Sequence, residues 1–131
     1  MTSILVIEDH VVFGKALVRL LIEKANIDVV DVVRSAEEAL EKLTTLHVDL
    51  VLVDVSLPTM NGIQLVSMIH QLLPDLPCLM LSGHLTPFYV QRSMDAGARG
   101  YVLKDDIPGV LEGVERVLNG EIYISNALRD Q

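Results

Sequence analysis

An α/β chain built on a parallel, doubly wound sheet is what this sequence predicts, and three observations predict it. Short apolar runs alternate with amphipathic stretches along the chain, as repeated strand–helix–strand units with right-handed crossovers require. The runs are continuously apolar, which suits strands covered on both faces. Four of them end in a charged or hydroxyl residue: Ile4-Leu5-Val6-Ile7 in Glu8-Asp9, Leu50-Val51-Leu52-Val53 in Asp54, Cys78-Leu79-Met80-Leu81 in Ser82, and Tyr101-Val102-Leu103 in Lys104.

Each element has its own local reason. After the first strand, Phe13, Leu17, Leu20 and Leu21 recur at helical spacing. Ile27 to Val33 is rich in β-branched residues and reads as the second strand. Ser35 with Glu38 forms a capping box, opening a helix with Ala36, Ala39, Leu40 and Leu43 on one face and its end near Leu46. The third strand delivers Asp54 into a turn-rich loop containing Pro58, Asn61 and Gly62. The next helix shows Leu65, Met68, Ile69 and Leu72 on one face and stops at Pro74. Thr86-Pro87 reads as an N-cap with proline at the first helical position. The helix it starts has a poor apolar stripe, anchored by Val90 and Met94 and closed by Gly97, and is expected to be the least firmly docked. The last helix is strongly amphipathic (Ile107, Val110, Leu111, Val114, Val117, Leu118) and ends at Gly120. Five strands in the order 2-1-3-4-5, a flavodoxin-like (βα)5 arrangement, is the economical doubly wound answer, with its topological switch point between strands 1 and 3.

Composition narrows the function. A chain of 131 residues, half of them hydrophobic, is one domain with a real core. No apolar stretch approaches the roughly 20 residues of a membrane-spanning helix, and the short N-terminal run lacks the basic segment of a signal peptide. The single cysteine, Cys78, lies in a strand and excludes a disulfide framework, so a reducing cytoplasm is the expected location. Ten Lys+Arg against eighteen Asp+Glu give a net charge of −8, the opposite of a nucleic-acid-binding balance.

Ligands of open parallel sheets collect outside the carboxyl ends of the strands. Glu8, Asp9 and Asp54 fall there, and converging carboxylates repel unless a proton or cation intervenes. Magnesium, with manganese as the substitute, fits such hard oxygen ligands: Asp9 and Asp54 directly, Glu8 through water, and the Ser56 backbone carbonyl completing the set. Asp54 is then placed to attack phosphorus, with Lys104 and Ser82 stabilising the phosphoryl oxygens. Each residue alone also has a plain explanation: Asp9 a helix cap, Asp54 a loop aspartate, Lys104 a solvated surface cation, Ser82 a turn former beside Gly83. Their coincidence at four strand ends favours the chemical reading. Two readings stand for Tyr101, a strand aromatic packed on a helix or a ring whose rotamer follows Ser82. His84 is either a modulator of water access or a plain loop histidine, and His10 is equally ambiguous. His47 and His70 carry no metal spacing.

In combination these motifs closely resemble the receiver domain of two-component response regulators, over residues 3 to about 120. The acidic pair Glu8-Asp9, the stretch Val51–Pro58 around Asp54, Asn61-Gly62, Ser82 and Lys104 carry the resemblance. It implies that Asp54 accepts phosphate from a histidine kinase, that Glu8 and Asp9 help bind magnesium, and that Ser82 and Tyr101 are the switch hydroxyl and switch aromatic. It implies a signalling domain rather than an enzyme, whose switched face is the Thr86–Ala96 helix, the fifth strand and the last helix. The stretches Gly97–Asp105 and Asn119–Ser125 look like the nitrate-response branch, whose members usually carry a LuxR-type DNA-binding domain after a linker. On that reading residues 1–120 are the receiver and 121–131 the start of a linker or tail, DNA is contacted only through a domain outside this chain, and a phosphorylation-dependent homodimer is possible. The alternatives are a single-domain receiver acting by protein–protein interaction and, more remotely, a haloacid-dehalogenase-like phosphatase. The latter typically has a second aspartate two residues after its nucleophile, where Ser56 stands here. One departure from the common receiver pattern is Asp105, where proline often follows the lysine. Because a cis bond before a non-proline residue costs roughly 2.5–4 kcal/mol, a trans Lys104–Asp105 peptide is expected.

Overall fold

The strands of the computed structural model, which describes residues 2–25, 27–83 and 87–129, form a single sheet in the order β2-β1-β3-β4-β5-β6. β1 is Ser3–Ile7, β2 Asp28–Val33, β3 Leu50–Asp54, β4 Cys78–Ser82, β5 Gly100–Leu103 and β6 Tyr123–Ile124. All neighbours pair parallel. The helices are α1 Val11–Ala25, α2 Ala36–Leu43, α3 Gly62–Leu72, α4 Pro87–Asp95, α5 Ile107–Leu118 and α6 Asn126–Arg129. The expected order of the first five strands is the observed one, and β6 adds a sixth.

Continuous apolar strands arise because alternate residues feed two cores. Leu5, Ile7, Val51, Val53, Met80, Tyr101 and Leu103 join Ala36 and Ala39 of α2 and Leu65, Val66 and Ile69 of α3 in one cluster, with Val90 and Met94 of α4 packed against it. Ile4, Val6, Leu50, Leu52, Leu79, Leu81 and Val102 join Leu17 and Leu21 of α1 and Val110, Val114 and Val117 of α5 in the other. Helices therefore cover both faces.

Among the described residues the expected elements are present, with differences in α2, α3 and α5, where Ile107, expected on the apolar face, is 38% exposed. Ser35 caps α2, its hydroxyl accepting from the Glu38 N–H at 3.2 Å, and the helix ends at Leu43 rather than near Leu46. α3 buries Leu65, Val66 and Ile69, while Leu72, expected on the buried face, is 66% exposed. The buried stripe of α3 steps from Leu65 and Val66 to Ile69 and stops short of the last turn. There Leu72 helps line an open groove with Leu43, Leu46 and Leu76. α4 buries only Ser93 and leaves Phe88 60% exposed, matching its poor stripe. Thr86, its expected cap, and His84 lie outside the described residues. Gly97 and Gly120 follow α4 and α5 with φ of 111° and 85°.

Residues after α5 pair with the sheet edge and pack against it. β6 lies beside β5, with Tyr123 opposite Gly100 and Ile124 opposite Tyr101. The Ser125 N–H donates to the Tyr101 carbonyl (3.0 Å), and its buried hydroxyl accepts from the Leu103 N–H (3.1 Å). Leu128 is buried in the α2/α3 cluster. Among the described residues, no helix is long and apolar enough to cross a membrane.

Candidate functional site

Parallel strands in register deliver their final residues to one edge. Ile7 pairs with Val53, Asp54 with Leu81, and Ser82 with Leu103, so Glu8, Asp54, Ser82 and Lys104 emerge together. Asp54 is 3% exposed, Glu8 1% and Ser82 0%, while Asp9 is partly exposed. One carboxylate oxygen from each of Glu8, Asp9 and Asp54 lies within 4.8 Å of the others. Among the described residues this is the one such cluster of acids, histidines or cysteines. Lys104 closes it from β5, its Nζ 2.8 Å from Glu8 Oε1 and 2.9 Å from Asp54 Oδ2.

The loop after β3 holds Asp54 through its own backbone. Ser56 N–H donates to Asp54 Oδ1 at 3.0 Å, a local turn typical of aspartate. Gly62 N–H then donates to the Val55 carbonyl at 2.8 Å. A Cβ on Gly62 would stand 2.0 Å from the Asp54 carbonyl oxygen, so only glycine lets the chain return this closely. Asn61 and Gln64 form a reciprocal capping box at 2.9 and 3.2 Å that starts α3. Thr59, at φ 62°, is tied to α2 by its hydroxyl, which donates to the Glu37 carboxylate.

Burial pushes the Glu8 carboxyl up to about 7; the Lys104 hydrogen bond opposes this and the neighbouring Asp54 reinforces it. The Lys104 ammonium is lowered by burial, but its hydrogen bonds to Glu8 and Asp54 outweigh that and raise it overall. One ammonium against two buried carboxylates, with Asp9 at the mouth, leaves excess negative charge in a poorly solvated pocket. A small hard cation with oxygen ligands fits that donor set.

Tyr101 is wholly buried. Burial raises its phenol, opposed by the neighbouring Ser82 hydroxyl, yet among the described residues the phenol oxygen makes no well-aligned hydrogen bond. The ring thus packs in the core while its polar end lies near the switch-point residues. His10 is exposed and contributes its backbone N–H to Glu8 Oε2 (3.0 Å). His47 pairs with Asp49 at 3.0 Å instead, and His70 is in the last turn of α3. The Lys104–Asp105 peptide is trans, as expected.

Two features escaped the sequence. The Glu8–Lys104 pair joins residues far apart in the chain, and no local pattern announces it. Phe13, counted only as a core residue, places its ring centroid 5.0 Å from Lys104 Nζ. Its position in the first turn of α1, four residues after Asp9, is the available signal.

Comparison with known proteins agrees with this geometry. The model of the response regulator receiver domain matches residues 4–115. The transcriptional regulatory protein DegU of Brevibacillus brevis is 33% identical over 93% of this chain and 52% of its own length. The transcriptional activator protein ExaE of Pseudomonas putida is 36% identical over 98% of this chain and 61% of its own. The chain thus spans 52% and 61% of the length of these two relatives. Among solved structures, a LuxR-family two-component response regulator from Aurantimonas sp. SI85-9A1 superposes with a TM-score of 0.94 at 26% identity, covering 99% of this chain and 94% of that one. The receiver domain of a NarL response regulator from Mycobacterium tuberculosis gives 0.85 at 26% identity, covering 92% and 98%. With a parallel sheet that gathers three carboxylates and a lysine at its switch point, and a family model that spans most of its length, this chain belongs to the response regulator receiver domains.

Proposed function

We propose that Asp54 is the phosphoacceptor of a two-component pathway, taking a phosphoryl group from the phosphohistidine of a sensor histidine kinase. An Asp54 carboxylate oxygen forms the new bond to phosphorus as the phosphorus–nitrogen bond to the imidazole breaks, and the departing imidazole regains a proton. Glu8, Asp9, Asp54 and the Ser56 carbonyl would hold Mg2+, or Mn2+, which supplies positive charge to the phosphoryl oxygens. Lys104, already on Asp54, shifts its ammonium to the added phosphoryl oxygens, and the Ser82 hydroxyl donates to them. Tyr101 follows Ser82.

The observation that carries this reading is the Lys104 ammonium, shared by two buried carboxylates within a three-acid cluster. No purely structural role calls for three acids and one cation at a sheet's switch point, because burying unbalanced charge destabilises the fold. The output is a change in the face formed by α4, β5 and α5, where α4 is the element least pinned by burial. The transcriptional names of the relatives support a DNA-binding output in a separate LuxR-type domain, with a phosphorylation-dependent homodimer on the way. The domain itself acts as a signalling module rather than an enzyme on outside substrates, and a kinase partner places it in the cytoplasm.

The test offers a small phosphoramidate donor with magnesium to the native protein and to Asp54→Asn. Intact mass should rise by one phosphoryl group in the native protein alone. A gain in both proteins, or in neither, would remove Asp54 from the role.

A further inference from the structure

We propose that Phe13 is a positioning residue for Lys104, its ring holding the ammonium over the carboxylate pocket. This deepens the phosphoacceptor reading and rests on it. Among the described residues, the ammonium meets Glu8 Oε1 at 2.8 Å, Asp54 Oδ2 at 2.9 Å and the Phe13 ring, whose centroid is 5.0 Å away. That distance is within the roughly 6 Å over which a ring face attracts a cation. The side chain of Lys104 is 23% exposed, so the contact is only partly screened by water.

The placement is specific to the aromatic. Val11 and Val12 precede Phe13 in the first turn of α1 and turn outward, 46% and 74% exposed. Phe13 turns inward and packs against the α1/α5 core cluster, which anchors the ring independently of Lys104. The chemistry gives this neighbour a purpose that a third carboxylate would not serve. To contact a phosphoryl group on Asp54, the ammonium must loosen the carboxylate pairs that hold it. A carboxylate in the place of Phe13 would compete with the phosphoryl oxygens for that positive charge. A neutral ring attracts the cation without neutralising it, and its broad, weakly directional face tolerates a small shift. The ammonium is thereby kept at the pocket and left available.

The test compares native protein with Phe13→Leu, Phe13→Tyr and a ring-trifluorinated phenylalanine at position 13, all with magnesium and phosphoramidate. The fluorinated ring keeps the shape while weakening the attraction of its face, so it remains informative if Phe13→Leu folds poorly. Two quantities are read: the rate of Asp54 phosphorylation, and the NMR shifts of the Lys104 ε-methylene protons, which a ring face moves upfield. Expected are an upfield shift in native protein and Phe13→Tyr, its loss in Phe13→Leu, and a rate about fivefold lower in both Phe13→Leu and the fluorinated protein, with Phe13→Tyr near native. Equal rates for the native and fluorinated rings, or native ε-methylene protons without an upfield shift, would overturn the proposal. Native protein that takes up no phosphoryl group would instead sink the phosphoacceptor reading, while the NMR shift would still report the ring contact.

Discussion

Removing magnesium and raising the pH should weaken this fold, and Glu8 supplies the reason. Its carboxyl has an ordinary value of 4.5 and is pushed to about 7 in the folded chain, chiefly by burial. Between those values the native state holds a proton that the unfolded state has released, so stability falls as pH rises from about 4.5 through about 7. At 1.36 kcal/mol per pKa unit the loss is about 3 kcal/mol when complete, a sizeable part of a typical domain's 5–15 kcal/mol. Other resolved shifts leave this window clear. Asp49, lowered by the Ser3 N–H, acts below its ordinary 3.8. Lys104, Tyr101 and Tyr123 are raised from 10.5, 10.0 and 10.0 and act in alkali. The assay is urea unfolding at pH 5 and pH 8 in a chelator, for native protein and Glu8→Gln. The native chain should lose about 2–3 kcal/mol across the interval, most of the complete loss, and the Gln variant, with no proton to release there, should lose much less. Saturating magnesium at pH 8 should restore stability, since a cation on the cluster favours the ionised carboxylates. A metal-free profile that is flat or rises from pH 5 to 8, unchanged by Glu8→Gln, would refute the assignment of that proton to Glu8.

Three further outcomes follow from the same contacts. Lys104→Met strands two buried carboxylates, so metal-free stability at pH 8 should drop by about 3–5 kcal/mol and recover in part with magnesium, as urea unfolding would show. Gly62→Ala forces a methyl onto the Asp54 carbonyl oxygen; a loss of several kcal/mol is expected (about 3 or more), and amide NMR shifts should localise the disturbance to residues 54–62. Ser125→Ala removes the acceptor of the buried Leu103 N–H and should cost about 1–3 kcal/mol in thermal or urea unfolding, with faster hydrogen exchange at Leu103.

The class of fold, the order of elements and the residues that gather at the switch point can be read from the order of amino acids alone. These are legible because they are local: apolar runs mark strands, spacing marks helices, and a residue directly after a parallel strand must emerge at the carboxyl edge. Asp54, Asp9 and Lys104 could be nominated for that reason alone. Tertiary structure decided what locality does not encode. Leu72 has helical spacing with Leu65, yet it is exposed in the last turn of α3, where it lines an open groove with Leu43, Leu46 and Leu76. The pairing of residues after Gly120 is not encoded locally either: the edge of β5 has amide and carbonyl groups that β6 and Ser125 satisfy. Glu8 is charge-paired with a lysine four strands further along in sequence but adjacent at the pocket, and Phe13 meets that same ammonium across the helix–sheet interface. Electrostatic energy depends on distance and burial, which only the folded chain sets.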